Sequence, residues 1–200
     1  MDGDRSSQGG SASRRPPAIE NLADELPGHE RRLSRGRGRG LAGMAQVTLP
    51  TLDHMTNGLR GLILLAGGPG VGKTSLALQL GLDAVLASGD VGLLFVTLET
   101  SRWELISRLR SRMSALDWAA ITNGLEQISP DPAGDDAGIH QLRMLQQGDA
   151  TLAAAGDRMR FLDSRNFTPP SLDGLVEQCI DLKTRSAARR LIVVIDSLQA

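Results

Sequence analysis

The stretch Gly67-Gly68-Pro69-Gly70-Val71-Gly72-Lys73-Thr74 constrains this chain more than any other. It follows the apolar run Gly61-Leu62-Ile63-Leu64-Leu65-Ala66, whose length and flanking glycines predict a buried strand. It precedes Thr74 to Ser88, where Leu76, Leu80, Ala84 and Leu86 among small residues predict a buried helix that Gly89-Asp90 ends. Between a strand and a helix, G-x-x-x-x-G-K-[ST] is the phosphate-binding P-loop pattern. Glycines let backbone N–H groups wrap phosphates without a Cβ in the way, and the helix adds its positive N-terminal dipole. Lys73 is a mobile cation with the reach for β- and γ-phosphates, and Thr74 offers a hydroxyl to Mg²⁺. The candidate nucleotide-binding set is therefore Gly67, Gly68, Pro69, Gly70, Val71, Gly72, Lys73, Thr74 and Ser75.

Two more apolar runs follow. Val91 to Leu98 (VGLLFVTL) reads as a strand covered on both faces, and Leu191 to Ile195 (LIVVI) as another. Near-continuous apolar strands alternating with helices predict an α/β fold with a mostly parallel sheet. Each run ends in a carboxylate. Asp196 at the end of LIVVI suits the Walker B role, holding the Mg²⁺ shell, with strand-end capping as the simpler alternative. Glu99 closes VGLLFVTL. Parallel strands bring their C-terminal ends to one ligand-binding edge, so Glu99 is a candidate base for an attacking water. The competing reading is that its charge merely favours the N-terminus of the next helix.

That helix opens at Ser101-Arg102-Trp103-Glu104, a capping-box pattern. Trp103, Ile106, Leu109, Met113 and Leu116 repeat at helical spacing, and Glu104 and Arg108 form a favourable i,i+4 pair. Trp103 and Met113 read as core rather than as base-stacking residues. Ser129 to Gly138 reads as a loop, residues 139 to 156 as an amphipathic helix, and Phe161-Leu162-Asp163 as a short strand. Pro169-Pro170-Ser171 opens a helix with Leu172, Leu175, Val176, Cys179 and Leu182 as its buried face. Arg189-Arg190 reads as a solvated strand end. His29, His54 and His140 show no ligand spacing.

Composition excludes several classes. With 22 basic and 23 acidic residues, the formal charge of −1 fits neither a histone-like nor an acidic solvating chain. Aromatics are only 2%, too few for a platform that stacks single-stranded bases. A single cysteine leaves no internal disulfide and no Cys-based zinc site. No apolar run is long enough for a transmembrane helix, and MDGDRSSQGG lacks a signal-peptide centre, so no membrane association and a cytoplasmic location are expected. Residues 1–46 are rich in Gly, Ser, Arg and Pro and are expected to be a disordered tail, with a short helix around Ile19 to Leu26. Its Arg35-Gly36-Arg37-Gly38-Arg39-Gly40 tract is either a solvated segment or a basic arm for phosphate backbones.

Taken together, Leu52-Asp53, Thr56-Asn57-Gly58-Leu59-Arg60-Gly61, GGPGVGKTSLALQLG, FVTLETSRWELISRLRSRMS and LIVVIDSLQA resemble the RecA-type ATPase core of replicative DnaB helicases. Leu98-Glu99-Thr100-Ser101 matches that family's Leu-Glu-x-Ser segment, and Leu105-Ile106-Ser107-Arg108-Leu109 its Leu-x-x-Arg-Leu helix. Asp196-Ser197-Leu198-Gln199 stands where the family has Asp-Tyr-Leu-Gln. The resemblance covers about residues 47 to 199. It implies a RecA-like P-loop fold over 47–200, Mg²⁺ and ATP as ligands, Glu99 as catalytic base with Lys73, and Thr74 and Asp196 at the metal. It also implies single-stranded DNA as partner and a homo-oligomeric, hexameric ring for the intact protein. KaiC-type and RadA-type ATPases are close relatives. Thr100 stands where KaiC-type members usually carry a second glutamate.

The family's helical N-terminal domain has no counterpart in residues 1–46. Its sheet continues past the Walker B strand into segments carrying the γ-phosphate sensor, the DNA-binding loops and an arginine finger. Here four residues follow Asp196, so the sheet is expected to lack its C-terminal strands, and the chain to be the N-terminal part of a longer protein or a truncated gene product. The alternative to an ATP-hydrolysing motor is then a nucleotide-binding fragment that does not hydrolyse. A P-loop small-molecule kinase would leave the segments around Glu99 and Asp196 unexplained.

Overall fold

The computed structural model describes residues 44–45, 48–123, 136–163, 165 and 171–196. Residues 1–43 of the expected tail, with its helix, Arg-Gly tract and His29, residues 129–135 of the expected loop, Pro169-Pro170 and Ser197-Leu198-Gln199 lie outside them. In chain order the elements are α1 (Pro50–Thr56), α2 (Lys73–Ala87), β1 (Val91–Thr97), α3 (Arg102–Ser114), α4 (Trp118–Thr122), α5 (Asp136–Ala155), a 3-10 turn (Gly156–Arg158), β2 (Met159–Leu162), α6 (Leu172–Ser186) and β3 (Arg190–Asp196).

The sheet has the order β2-β1-β3, and both pairings are parallel. β1 is the central strand and is buried at every position, because an uninterrupted apolar strand needs cover on both faces. On one face Phe95 packs with Ala77, Leu78 and Leu82 of α2 and Leu105 and Leu109 of α3. On the other, Leu94 and Val96 meet Leu162 and, from α6, Leu175, Cys179 and Leu182. Sheet and helices thus form three layers, with α2 and α3 opposite α6. α3 and α5 touch closely at Gly148, where an added Cβ would lie 3.0–3.1 Å from the Met113 and Ser114 backbone and Met113 Cβ. Beside that crossing, Arg110 holds Asp149 in a two-pronged pair at 2.7 and 2.8 Å.

Two predicted N-caps form. Ser101 Oγ accepts from Glu104 N at 3.3 Å, and Ser171 Oγ from Gly174 N at 3.0 Å. The Glu104 carboxylate pairs with Arg108 at 2.7 Å. At the far end of α2, Arg158 donates to the Val85 and Ser88 carbonyls at 2.6 and 2.7 Å, satisfying acceptors that a helix end leaves open. Asp83, buried on α2, accepts from Thr48 and from Arg112, which ties the segment before α1 to α2 and α3.

Several expectations are corrected. Residues 61–66 are not a strand: no ladder partner lies beside them among the described residues, and Leu62 is 98% and Leu64 80% exposed. An apolar run becomes a strand only where another strand accepts its backbone hydrogen bonds. Trp103 is not core: it is 59% exposed under the Arg102 guanidinium, 5.1 Å from the ring centre, and Leu105 is buried beside the expected Leu109. Leu172 (76% exposed) and Val176 lie outside the buried face of α6, and Leu76 and Leu86 are exposed on α2. The structure starts α5 at Asp136, inside the stretch read as a loop. Arg190 is engaged rather than merely solvated, pairing with Asp90 at 2.8 Å.

That pair makes stability sensitive to acid. The Arg190 guanidinium first, then the Ser88 hydroxyl, holds the Asp90 carboxyl below its ordinary 3.8, at about 2. A folded-state value below the unfolded one stabilises fully above about pH 4 and is lost as pH falls toward about 2. Asp90→Asn is expected to remove this portion of the acid dependence, measured by urea unfolding at a series of pH values. An unaltered pH profile would refute the role of the pair.

Candidate nucleotide-binding site

The P-loop turns from residue 67 to residue 72 with its backbone in solvent. Gly70 and Gly72 have φ of +74° and +92°, a region that side chains with a Cβ enter only at a cost. A Cβ built on Gly68, Gly70 or Gly72 meets nothing within 4 Å, so the loop borders open space. Gly72 is the N-cap of α2 and provides no side-chain cap, leaving first-turn N–H groups available to an anion.

Lys73 and Thr74 are the first two residues of α2. Lys73 Nζ donates to the Gly67 and Gly68 carbonyls at 2.9 and 2.7 Å, so the cation sits over the loop. Thr74 Oγ1 donates to Asp196 Oδ2 at 2.8 Å, joining residues 122 positions apart. The pairing that makes this possible is the β1–β3 register, in which Thr97 stands opposite Asp196. Leu98 N then donates to the Asp196 carbonyl at 2.8 Å, continuing the ladder by one bond. Glu99 follows in the exposed loop between β1 and α3, at the C-terminal edge of the sheet that also ends in Asp196. Ser75 turns to α3, where its hydroxyl accepts from Arg108 at 2.8 Å.

A hydroxyl and a carboxylate in contact beside an open glycine loop form a donor set of hard oxygens. That suits Mg²⁺, which takes few protein ligands and keeps several waters. The residues therefore fit a magnesium nucleotide.

Two participants escaped the sequence reading. Arg108 was legible as the partner of Glu104, but Ser75 lies 33 residues away and nothing local signals that contact. Asp163 is 3% exposed and follows β2 at the same sheet edge as Glu99 and Asp196. Its strand-end position is the signal that could have found it. A cleft of about 640 Å³ borders Ser75 and is lined by Gln79, Arg108, Arg112, Leu116 and Trp118 among others. Lys73, Thr74 and Asp196 do not line it, so it is separate from the P-loop contacts.

A parallel sheet whose C-terminal edge faces a glycine loop and a Lys-Thr helix start is an arrangement found in P-loop folds. Residues 44–152, just over half of the chain, match the family described as "DnaB-like helicase C terminal domain". The chain belongs to that family. Among solved structures it is similar to "ATPase Domain of G40P", with a TM-score of 0.68 and 20% identity, over 89% of this chain and 57% of that one. It is also similar to "The Structure Of A DnaB-Like Replicative Helicase And Its Interactions With Primase", with a TM-score of 0.69 and 18% identity, over 88% of this chain and 38% of that one. The chain thus spans less than two thirds of either structure. No curated protein sequence matches it.

The backbone at Gly72 sets a direct test. Gly72→Val forces a branched side chain into φ of +92°, a strain on the order of 1–2 kcal/mol. It is expected to weaken binding of a fluorescent ATP analogue about tenfold or more, with the far-UV circular dichroism unchanged. Wild-type affinity in this variant would remove the loop from the nucleotide site.

Proposed function

We propose that this chain is the nucleotide-binding and hydrolysing motor core of a DnaB-type helicase, acting on single-stranded DNA within a ring of like subunits, a hexamer in the intact protein. The observation that best supports the reading is the Thr74 Oγ1 to Asp196 Oδ2 bond of 2.8 Å, with Lys73 held at the neighbouring loop. Membership of the helicase family supports it further, and primase is named with one structural neighbour.

In this reading Gly67 to Gly72 cradle the phosphates through backbone N–H groups, and Lys73 neutralises their charge. Ser75 completes the first turn of the binding helix. Thr74 and Asp196 would hold Mg²⁺. When bound, the metal supplies charge stabilisation at the phosphate oxygens. Glu99 orients and deprotonates the attacking water. No described helix is long and apolar enough to cross a membrane, and a cytoplasmic setting suits a replicative motor.

Two substitutions separate binding from chemistry. In the intact protein Lys73→Ala is expected to abolish turnover and to weaken nucleotide binding, measured by steady-state phosphate release and by titration with a fluorescent ATP analogue. Unchanged ATPase activity would sink the assignment. Glu99→Gln is expected to keep nucleotide affinity while hydrolysis falls at least ~100-fold, the scale of a general base. Both are measured with and without single-stranded DNA. DNA-stimulated turnover is the result expected of the intact protein, and binding without turnover would favour the non-hydrolysing alternative.

A further inference from the structure

We propose that Asp163 is a positioning residue for Glu99, anchoring from the neighbouring strand the loop that carries the candidate base. The proposal rests on the reading of Glu99 given above. The connection between β1 and α3 is short, Leu98 to Ser101, and it is tied at successive points. Leu98 N bonds the Asp196 carbonyl at 2.8 Å. Thr97, 1% exposed, accepts from Thr100 N through its Oγ1 at 2.9 Å, closing a turn around Leu98 and Glu99. Ser101 caps α3 through Glu104 N. These ties join the loop to β1, to α3 and to β3.

Asp163 joins it to the remaining strand. Its Oδ2 accepts from Arg102 N, the first residue of α3, at 2.9 Å, and its Oδ1 accepts from Arg165 N at 3.1 Å. A carboxylate 3% exposed is an expensive group to bury, and one held there is aimed at backbone amides rather than at solvent. Its negative charge also faces the positive end of α3. The loop carrying Glu99 is thereby spanned between the three strands of the described residues: β1 and β3 fix its start, and β2, through Asp163, fixes the helix at its end. A base must stand within hydrogen-bond reach of its water, and a displacement of about 1 Å can cost 10²-fold. Asp163 acts by preventing that displacement and touches no reacting atom.

The test uses the intact protein with four variants beside Glu99→Gln, one of them the double variant Asp163→Ala/Arg102→Pro. Asp163→Ala removes the acceptor. Arg102→Pro removes only the donor N–H among backbone groups: proline suits the first helical position, and Ser101 before it is extended, at φ −70° and ψ 149°. Arg102→Ala removes the side chain and keeps the N–H, so it controls for the loss of the guanidinium.

Asp163→Ala and Arg102→Pro are expected to lower kcat about 10- to 100-fold with KM within about twofold, and Arg102→Ala to leave both near wild type. Amide exchange over residues 98–104 is expected to quicken about tenfold or more, from the loss of a hydrogen bond to a charged acceptor. Exchange over residues 91–97 is expected to stay as in wild type. The two effects are expected not to multiply in the double variant, since both act through one bond. Exchange unchanged over 98–104, exchange quickened equally through β1, or wild-type kcat in both variants while Glu99→Gln is inactive would each overturn the proposal. Normal turnover in Glu99→Gln would instead remove the base reading, and the exchange result would then judge the anchoring alone.

Discussion

The seven-residue parallel ladder between β1 and β3 is the constraint on which the site depends. Its register sets Val91 against Arg190 at one end and Thr97 against Asp196 at the other. A slip of one residue would turn every β3 side chain to the opposite face. Leu191 would then leave the α6 side, Ile192 and Val194 would leave the α2 side, and Asp196 would no longer meet Thr74. The apolar burial that selects the register also selects the position of the carboxylate. At the opposite end the Asp90–Arg190 pair and the Arg189 and Arg190 N–H bonds to the Asp90 carbonyl, at 2.8 and 3.0 Å, hold the same register.

Polar contacts then fix what burial leaves loose. Exposed ion pairs are screened by solvent and cost side-chain entropy, so Glu104–Arg108 and Asp181–Arg185 contribute little by themselves. Asp83 differs, because it is buried and would be left uncompensated without Thr48 and Arg112. Arg158 is comparable in importance, since it closes the carbonyl end of α2 from a turn some 70 residues away in sequence. These two groups hold both flanks of α2, the helix whose first turn bears Lys73 and Thr74.

Much of this was legible because the signals are local. A glycine loop must turn, Ser at an N-cap meets the amide three residues on, and an uninterrupted run such as LLFV must be covered on both faces. Expectations failed where the outcome depended on neighbours. The run 62–65 has the composition of a buried strand, yet strandedness needs a partner ladder, and none lies beside it among the described residues. Trp103, Leu172 and Val176 sit at apolar spacing on helices, but spacing defines a stripe about 100° wide and not which edge of it meets the sheet. Arg108 to Ser75 and Asp163 to Arg102 were illegible because no local pattern records a contact across 33 or 61 residues.

By itself the sequence determined the two apolar strands β1 and β3, the helices that follow the glycine turn and Ser101, and the turn itself. It did so because backbone conformation and charge are properties of short segments. Only the tertiary structure decided that β1 lies between β2 and β3, that Thr74 meets Asp196, and that a buried aspartate after β2 holds the start of α3. Those outcomes follow from which faces pack and in what register, and packing is settled among distant segments simultaneously rather than within any one of them.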